Sequence, residues 1–208
     1  MDDQKIPDIT PQNEKGKQND LEHKVLADTI EEAEELFLAG KDRLLSINNW
    51  HDYAGELSGV FVLTDNHGKE LHRKAHKGDY LKINLPGPGE SAGDGYDWVH
   101  VETIQYDDYP DSNSETIAMT VRPTQAPVNN DKNTAHFFSD DATSTFSIQR
   151  KGKEVIATYH GRNEVPNTGT DNLIDKARNA VVALGAMIGI SELQWKSLIK
   201  GFLTYEGK

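Results

Sequence analysis

The stretch FSIQRKGKEVIATYH, residues 146–160, has the pattern of two β-strands joined by a tight turn. Phe146 and Ile148 alternate with polar residues, and the basic, glycine-containing residues 150–153 follow them. A second apolar run then extends from Val155 to His160. Alternating segments on both sides of such a turn are typical of an antiparallel hairpin, so we predict one here.

Further strand-like segments precede this hairpin at intervals of about 10–20 residues. They are Gly59–Thr64, Glu70–Arg73, Leu81–Leu85, Val99–Thr103, Ile117–Val121 and, more briefly, Ala135–Ser139. Residues 65–68, DNHG, have the composition of a turn, and we expect them to join the first two segments as a hairpin. No helical pattern lies between the strands, which indicates an antiparallel meander and not parallel βαβ units. Residues 123–134 are predicted to form a loop.

A helical pattern comes before the strands. Thr29 followed by Glu32 is a capping-box signature, and apolar residues recur at helical spacing as far as Ile47. Gly40 weakens the centre, so we expect either one helix or two short ones. Residues 1–22 are polar, with only isolated apolar residues, and we expect them to be a disordered tail before a single α+β domain at 23–208.

A second helical pattern follows the strands. It begins at Thr170, is interrupted at Gly189, and restarts at Ser191, which forms a capping box with Gln194. Residues 180–190, AVVALGAMIGI, carry no charge. They are too few to span a bilayer, so a buried core helix is preferred over a membrane-inserting one.

These elements predict an α+β fold in which an antiparallel sheet of about six or seven strands packs on a long, broken C-terminal helix, with a helix at the N-terminal side. A sheet curved around the C-terminal helix would bury the apolar faces of both. A closed β-barrel with appended helices is the competing architecture.

This order of elements resembles the helix-grip fold of the START and polyketide-cyclase superfamily, over roughly residues 24–203. In that superfamily a strand precedes the short helices, and here His23–Ala27 is the segment that could take its place. The break at Gly189 differs from one continuous grip helix. The resemblance implies a cavity for an apolar or lipid-like ligand between the sheet and the C-terminal helix. By element position, the large residues expected to line it are Tyr96, Trp98, Met187 and Trp195.

Composition excludes several classes of function. The net charge of −12 repels phosphate backbones and anionic membrane surfaces, so we expect no nucleic-acid partner. The chain has no cysteine, which excludes thiolate catalysis and cysteine-based zinc sites. Residues 1–10 lack the apolar core of a signal peptide, and no apolar run is long enough to span a membrane. We therefore expect a cytoplasmic protein, although an unconventional export route would leave no trace in the sequence.

The glycine-rich stretch LPGPGESAGDGYDW, residues 85–98, resembles a phosphate-binding loop only in composition. Only three residues separate Gly89 from Gly93, and Asp94 stands where a Walker A loop requires lysine. A strand-like segment follows, so no helix N-terminus is available for a phosphate. We predict a long acidic connection between two strands, with a lid beside Trp98 as the alternative.

Histidines provide the remaining candidates for chemistry. His72 and His76 are four residues apart but lie beside a turn and lack the surrounding pattern of a zinc site, so no metal is expected. His100 and Glu102 share one face of a predicted strand with Trp98, where they could act as an acid–base pair or form a solvated face. His160, Arg162 and Glu164 end the last strand and are expected at the surface.

Three functions follow from these observations. We expect first a protein that binds an apolar small molecule between the sheet and the C-terminal helix, without a cofactor. The second is an interaction or assembly component that docks a protein partner through residues 190–203, with Trp195 and Phe202 exposed. The third is an enzyme in which His100 and Glu102 act as catalytic acid and base.

Overall fold

The computed structural model describes residues 9–55, 59–84, 91–167 and 188–204, with the backbone alone at 188–191. Its strands are β1 Lys17–Leu26, β2 Val60–Thr64, β3 Tyr80–Asn84, β4 Asp97–Tyr109, β5 Ser114–Pro123, β6 Thr143–Lys151 and β7 Glu154–Glu164. Its α-helices are α1 Ile30–Leu45, α2 Trp50–Ala54 and α3 Ile188–Phe202. Short 3-10 turns lie at Ile47–Asn49, Ser91–Gly93 and Pro110–Ser112.

The seven strands form one antiparallel sheet in the order β1-β7-β6-β5-β4-β3-β2. Strands β2 to β7 follow one another as a meander, and β1 adds to the far edge beside β7. Helices α1 and α2 lie between the two edge strands in sequence, and α3 contacts α2, β1 and β7. The α+β prediction is confirmed, and the arrangement is a helix-grip fold. Within the described residues β1 and β2 each pair on one side only, so the closed barrel is wrong.

Strand β1 corrects the predicted boundary of the N-terminal tail. Residues 17–22 were expected to be disordered, but they pair with β7, with Leu21 opposite Tyr159. The segment has few apolar residues because β1 is an edge strand, and Leu21 is its one buried residue. Asp20 on the other face forms an ion pair with Arg162 at 2.6 Å. Charged side chains are common on edge strands because they discourage pairing with other chains.

Two predicted strands are absent from the described sheet. The turn at 65–68 forms as expected, because the Asp65 carboxylate accepts the backbone N–H groups of His67 and Lys69 at 2.8 and 3.0 Å. The segment Glu70–Arg73, however, meets β2 only at its start, where Glu70 bridges to Thr64 and the Leu71 N–H donates to the Leu63 carbonyl at 2.8 Å. The strand partner of β2 along its whole length is β3. Ala135–Ser139 likewise makes a single bridge, between Phe138 and Pro166.

Helix α1 is continuous. The Thr29 hydroxyl accepts the Glu32 N–H at 3.1 Å, and the Glu32 carboxylate accepts the Asp28 N–H at 3.0 Å, so the predicted cap forms. Gly40 lies inside the helix and not at a break. A Cβ at that position would fall 2.9 Å from Cδ1 of Ile148, so the glycine allows α1 to approach the sheet closely.

Helix α3 runs without interruption from Ile188 through Gly189, so the predicted restart at Ser191 does not mark a helix boundary. The earlier part of the predicted C-terminal helix, including its cap at Thr170, lies outside the described residues. In the part of the chain that the structure describes, no helix combines the length and the apolar character needed to cross a membrane.

Gly201 sets the distance between α3 and α2. An added Cβ would lie 2.6 Å from the Tyr53 carbonyl oxygen and 2.7 Å from its Cβ, and backbone atoms cannot move aside cheaply. We expect Gly201→Ala to lower the free energy of unfolding by about 2 kcal/mol through overpacking. Urea denaturation measures the change, and Ser197→Ala, on the exposed side of the same helix, is the control. Equal stability of the two variants would contradict this close approach.

Candidate functional site

The two faces of the sheet have different surroundings, and strand alternation assigns each residue to one of them. We call the face packed against the helices the inner face; it includes the buried residues Val99 and Val101, which belong to the main core. The opposite, outer face includes their neighbours Trp98 and His100. The predicted site residues therefore divide between two separate regions.

Trp98 anchors a small apolar cluster on the outer face. It packs with Ala92, Ala126 and Ala135, and with the half-buried Tyr80 and Tyr96. Its indole N–H donates to the Gly93 carbonyl at 3.3 Å, and the Lys82 ammonium lies 3.7 Å above the Tyr96 ring. The expectation that Tyr96 and Trp98 line the space between sheet and C-terminal helix is therefore wrong, because Trp98 is on the outer face of β4 and Tyr96 packs in the same outer cluster.

His100 and Glu102 are also on the outer side of β4, next to a register shift between Val101 and Thr103. Arg122 donates from Nε to the Glu102 carboxylate at 2.5 Å, and the His100 ring packs 5.4 Å from the ring of Tyr80. The carboxylate thus already has a cationic partner. An acid–base role for His100 and Glu102 stays a prediction, and the pair lies away from the inner face.

The glycine-rich connection is described only from Ser91 onward, and residues 85–90 lie outside the described residues. Ser91–Gly93 forms a 3-10 turn against Trp98. A Cβ at Gly93 would lie 2.9 Å from Cδ1 of Trp98, so this glycine serves close packing. Asn129 donates to the Ala92 carbonyl at 3.0 Å and ties the turn to the loop at 123–134. A lid role stays a prediction.

Trp195 is the one predicted lining residue that the structure places at the inner face. Its ring stacks on Tyr159 at a centroid distance of 5.2 Å and an angle of 18°, and it meets Phe146 edge-on at 5.3 Å. Trp195 nevertheless remains half-buried. Phe202, on the same helix, is fully buried, whereas a docking helix would present it outward. Met187 lies outside the described residues.

A polar cluster that the sequence analysis did not identify lies next to Trp195. It consists of Ser144, Tyr159 and Glu164, and we call it the polar cluster. The Tyr159 hydroxyl donates to the Glu164 carboxylate at 3.4 Å and lies 3.3 Å from the Ser144 hydroxyl. Ser144 is on the inner face because it pairs with the core residue Val121.

Burial raises the pKa of two members of this cluster. Burial, with the nearby Glu164 charge, raises the pKa of the Tyr159 hydroxyl far above its ordinary value, so it remains a hydrogen-bond donor. Burial also raises the pKa of Glu164, although Tyr159, Lys17 and Arg162 act in the opposite direction. A carboxyl group with a raised pKa beside aromatic surface is a functional-site candidate on physical grounds.

The end of β7 explains why Glu164 faces inward. His160 and Arg162 are on the outer face, as expected, where both contact Asp20. Asn163 then adopts a left-handed conformation with φ of +53°, which shifts the alternation by one residue. Glu164 therefore extends over Gly161, where any Cβ would collide with its carboxylate. The expectation that Glu164 is a surface residue is wrong because strand alternation alone does not reveal this turn.

The N-terminal segment holds this turn in place. The Asn163 side-chain oxygen accepts the backbone N–H groups of Glu14 and Lys15 at 2.7 and 3.1 Å. Its backbone N–H donates to the side chain of Asn13 at 2.8 Å. These bonds join residues about 150 positions apart in sequence. The signal available in the sequence was the pair Gly161 and Asn163, since both residue types are unusual within a strand.

No protein-family model matches this chain, and no curated protein matches it in sequence. Among solved structures, norcoclaurine synthase from Thalictrum flavum aligns at 11% identity with a TM-score of 0.43, covering 96% of this chain and 99% of that one.

Two further solved structures align less closely. A START superfamily protein from Mycobacterium smegmatis gives 9% identity and a TM-score of 0.35, covering 89% of this chain and 98% of that one. Ginseng major latex-like protein 151 from Panax ginseng aligns at 11% identity with a TM-score of 0.35, covering 81% of this chain and 94% of that one. The assignment of this chain rests on its own strand order and helix placement, which are those of a helix-grip α+β fold.

Proposed function

We propose that this protein binds an apolar small molecule on the inner face of the sheet, against Trp195, with the polar end of the ligand at the polar cluster. The observation that carries the proposal is the half-buried Trp195 ring, stacked on Tyr159 beside hydrogen-bonding groups that are only weakly paired. Sites for small molecules are mostly apolar with a few converging polar groups, and this region has both. The cavity implied by the resemblance in element order lies on the same side of the sheet.

The aromatic surface around Trp195 is extensive. Phe61 lies 5.9 Å from Trp195 on one side, and Phe146 and Tyr159 complete the contact. An apolar ligand that covers the accessible part of this ring removes apolar surface from water, at about 25 cal/mol for each Å² buried. Aromatic contacts between ring systems add to this gain.

Ser144 and Ser147 offer a matched pair of variants for testing the proposal. Both are half-buried serines on β6, but Ser144 is on the inner face and Ser147 is on the outer face, 2.7 Å from the Thr158 hydroxyl. We expect Ser144→Leu to weaken binding of N-phenyl-1-naphthylamine by more than about tenfold, because the larger side chain occupies the space beside Tyr159. We expect Ser147→Leu to bind the probe as the wild type does. Probe fluorescence on titration measures both affinities.

Tryptophan emission gives a second measurement of the same event. Binding at the inner face should quench Trp195 most strongly, so the quenching should be clearly smaller in Trp195→Phe, in which Trp50 and Trp98 still emit. Saturating probe should also raise the melting temperature of the wild type. Equal loss of binding in the two serine variants, or unchanged quenching in Trp195→Phe, would place the probe elsewhere and contradict the proposal.

A further inference from the structure

We infer that the ligand carries a protonated nitrogen at its polar end, bound by Glu164 with Tyr159 and Ser144, beneath an apolar body packed on Trp195. The inference rests on the proposed function and adds the chemical class of the ligand. Its basis is a half-buried carboxylate that has no cationic partner among the residues that the structure describes.

The contacts of Glu164 leave most of its hydrogen-bonding capacity unused. Within the described residues, no basic nitrogen lies within the 4 Å of an ion pair, and the Tyr159 hydroxyl at 3.4 Å is its only hydrogen-bond donor. That distance is at the long end of the range for an O–H donor. An ionised carboxylate has about four acceptor positions, so a ligand can still bind to it.

The charges that face Glu164 do not neutralise it. Lys17, opposite it on β1, and Arg162, on its own strand, both favour the ionised form. Arg162 is engaged elsewhere, since its guanidinium forms an ion pair with Asp20 on the outer face at 2.6 Å. The net direction is still a raised pKa for the Glu164 carboxyl, caused chiefly by burial. A ligand cation would supply the missing countercharge.

The aromatic rings beside the carboxylate favour the same chemistry. Tyr159 and Trp195 stack within 5.2 Å of each other, and Phe146 lies 5.2 Å from Tyr159. Ring faces attract cations and also pack against apolar groups, so an amine on an aromatic or aliphatic body satisfies the site at both ends. An anionic ligand would be repelled by the Glu164 carboxylate. A neutral alcohol would gain a hydrogen bond to it but would not neutralise its charge.

Protonation of Glu164 gives the inference a signature that is separate from affinity. Because the pKa of the Glu164 carboxyl is raised in the folded state, protonation of this group stabilises the folded protein fully at pH values below the pKa it has in the unfolded chain. This stabilisation is lost as the pH rises through the pKa that the group has in the folded protein. Glu164→Gln should therefore raise the urea midpoint of the ligand-free protein at neutral pH. A cation should release a proton on binding near the raised pKa, and it should bind more tightly as the pH rises through that pKa.

The test uses three probes of one shape on the full chain: 2-(2-naphthyl)ethylamine, 2-(2-naphthyl)ethanol and 2-naphthylacetate. Calorimetric titration in two buffers of different ionisation enthalpy measures affinity and proton release together. We expect the amine to bind the wild type at least about tenfold more tightly than the alcohol, with the acetate weakest. Glu164→Gln should remove the preference for the amine and leave the affinity for the alcohol within about twofold.

Glu154→Gln is the control, because Glu154 lies at the other end of β7 and pairs with Lys24 at 3.3 Å. It should change neither the affinities nor the proton release. If the wild type binds the alcohol as tightly as the amine, the inference is overturned while the proposed function stands. If none of the three probes binds the wild type while N-phenyl-1-naphthylamine still binds, the inference is overturned and the proposed function stands; if that probe also fails, both are overturned. If the amine binds Glu164→Gln unchanged but fails to bind Ser144→Leu, the ligand occupies the inner face without using Glu164, which also overturns the inference.

Discussion

Replacing Trp50 with alanine is expected to lower the free energy of unfolding by about 3–5 kcal/mol, a large part of the total for a domain of this size. Trp50 is fully buried where the helices meet the sheet. Its ring lies 4.9 Å from Phe146 in β6, 5.3 Å from Phe61 in β2 and 5.9 Å from Phe202 in α3. Alanine would leave a cavity at the point where three elements join.

The indole N–H of Trp50 adds a polar contribution to the same position. It donates to the carbonyl oxygens of Arg43 and Leu44, both at 3.2 Å, at the end of α1. Trp50→Phe keeps most of the ring but removes this donor, so we expect it to cost less than half as much as alanine. Urea denaturation followed by far-UV circular dichroism measures both variants. An alanine variant within about 1 kcal/mol of the wild type would show that the aromatic core does not depend on this ring.

Local signals in the sequence predicted a large part of the fold. The hairpin between β6 and β7, the capping box at Thr29 and the turn at 65–68 each depend on residues close together in the chain, and all three form. The end of β1 falls in the predicted segment His23–Ala27, but residues 17–22 were missed because their stability comes from pairing with β7 and from ion pairs across that edge, not from their own apolar content. Glu70–Arg73 has strand-like composition, but at the edge of β2 opposite β3 the Asn48 side chain accepts the Leu63 N–H at 2.7 Å and donates to the Leu71 carbonyl at 2.8 Å, where a paired strand would otherwise bond.

The candidate site was less accessible to prediction. Alternation placed Trp98 and Val99 on opposite faces, but it did not show that the loops around Ala92 and Ala135 would bury Trp98 on the outer side. The inward position of Glu164 depends on the left-handed Asn163, which in turn is held by backbone groups of the N-terminal segment. Contacts over so long a separation leave no periodic pattern in the sequence.

Arg43→Met is expected to lower the free energy of unfolding by about 3 kcal/mol, because Arg43 links α1 to the end of α3. Its Nη1 donates to the carbonyl oxygens of Gly201, Phe202 and Thr204, at 3.3, 3.0 and 2.6 Å. The last carbonyl groups of a helix have no hydrogen-bond partner within it. A cation at that end also interacts favourably with the negative end of the helix dipole. Methionine fills similar space but removes the donor to the buried Phe202 carbonyl and to the half-buried Thr204 carbonyl.

The link through Arg43 should be measurable locally as well as globally. We expect Arg43→Met to speed hydrogen exchange at the Leu203 amide, which donates to Lys200 at 3.0 Å in the last turn of α3, more than at amides in β5 and β6. Arg43→Lys keeps the charge and should retain part of the stability. Lys41→Met removes the same charge from a half-buried position of α1, where the ammonium lies 3.6 Å above the Tyr106 ring, and should cost at most about 1 kcal/mol. If Arg43→Met and Lys41→Met were equally stable, the guanidinium would contribute only its charge, and α3 would be held against α1 by apolar packing alone.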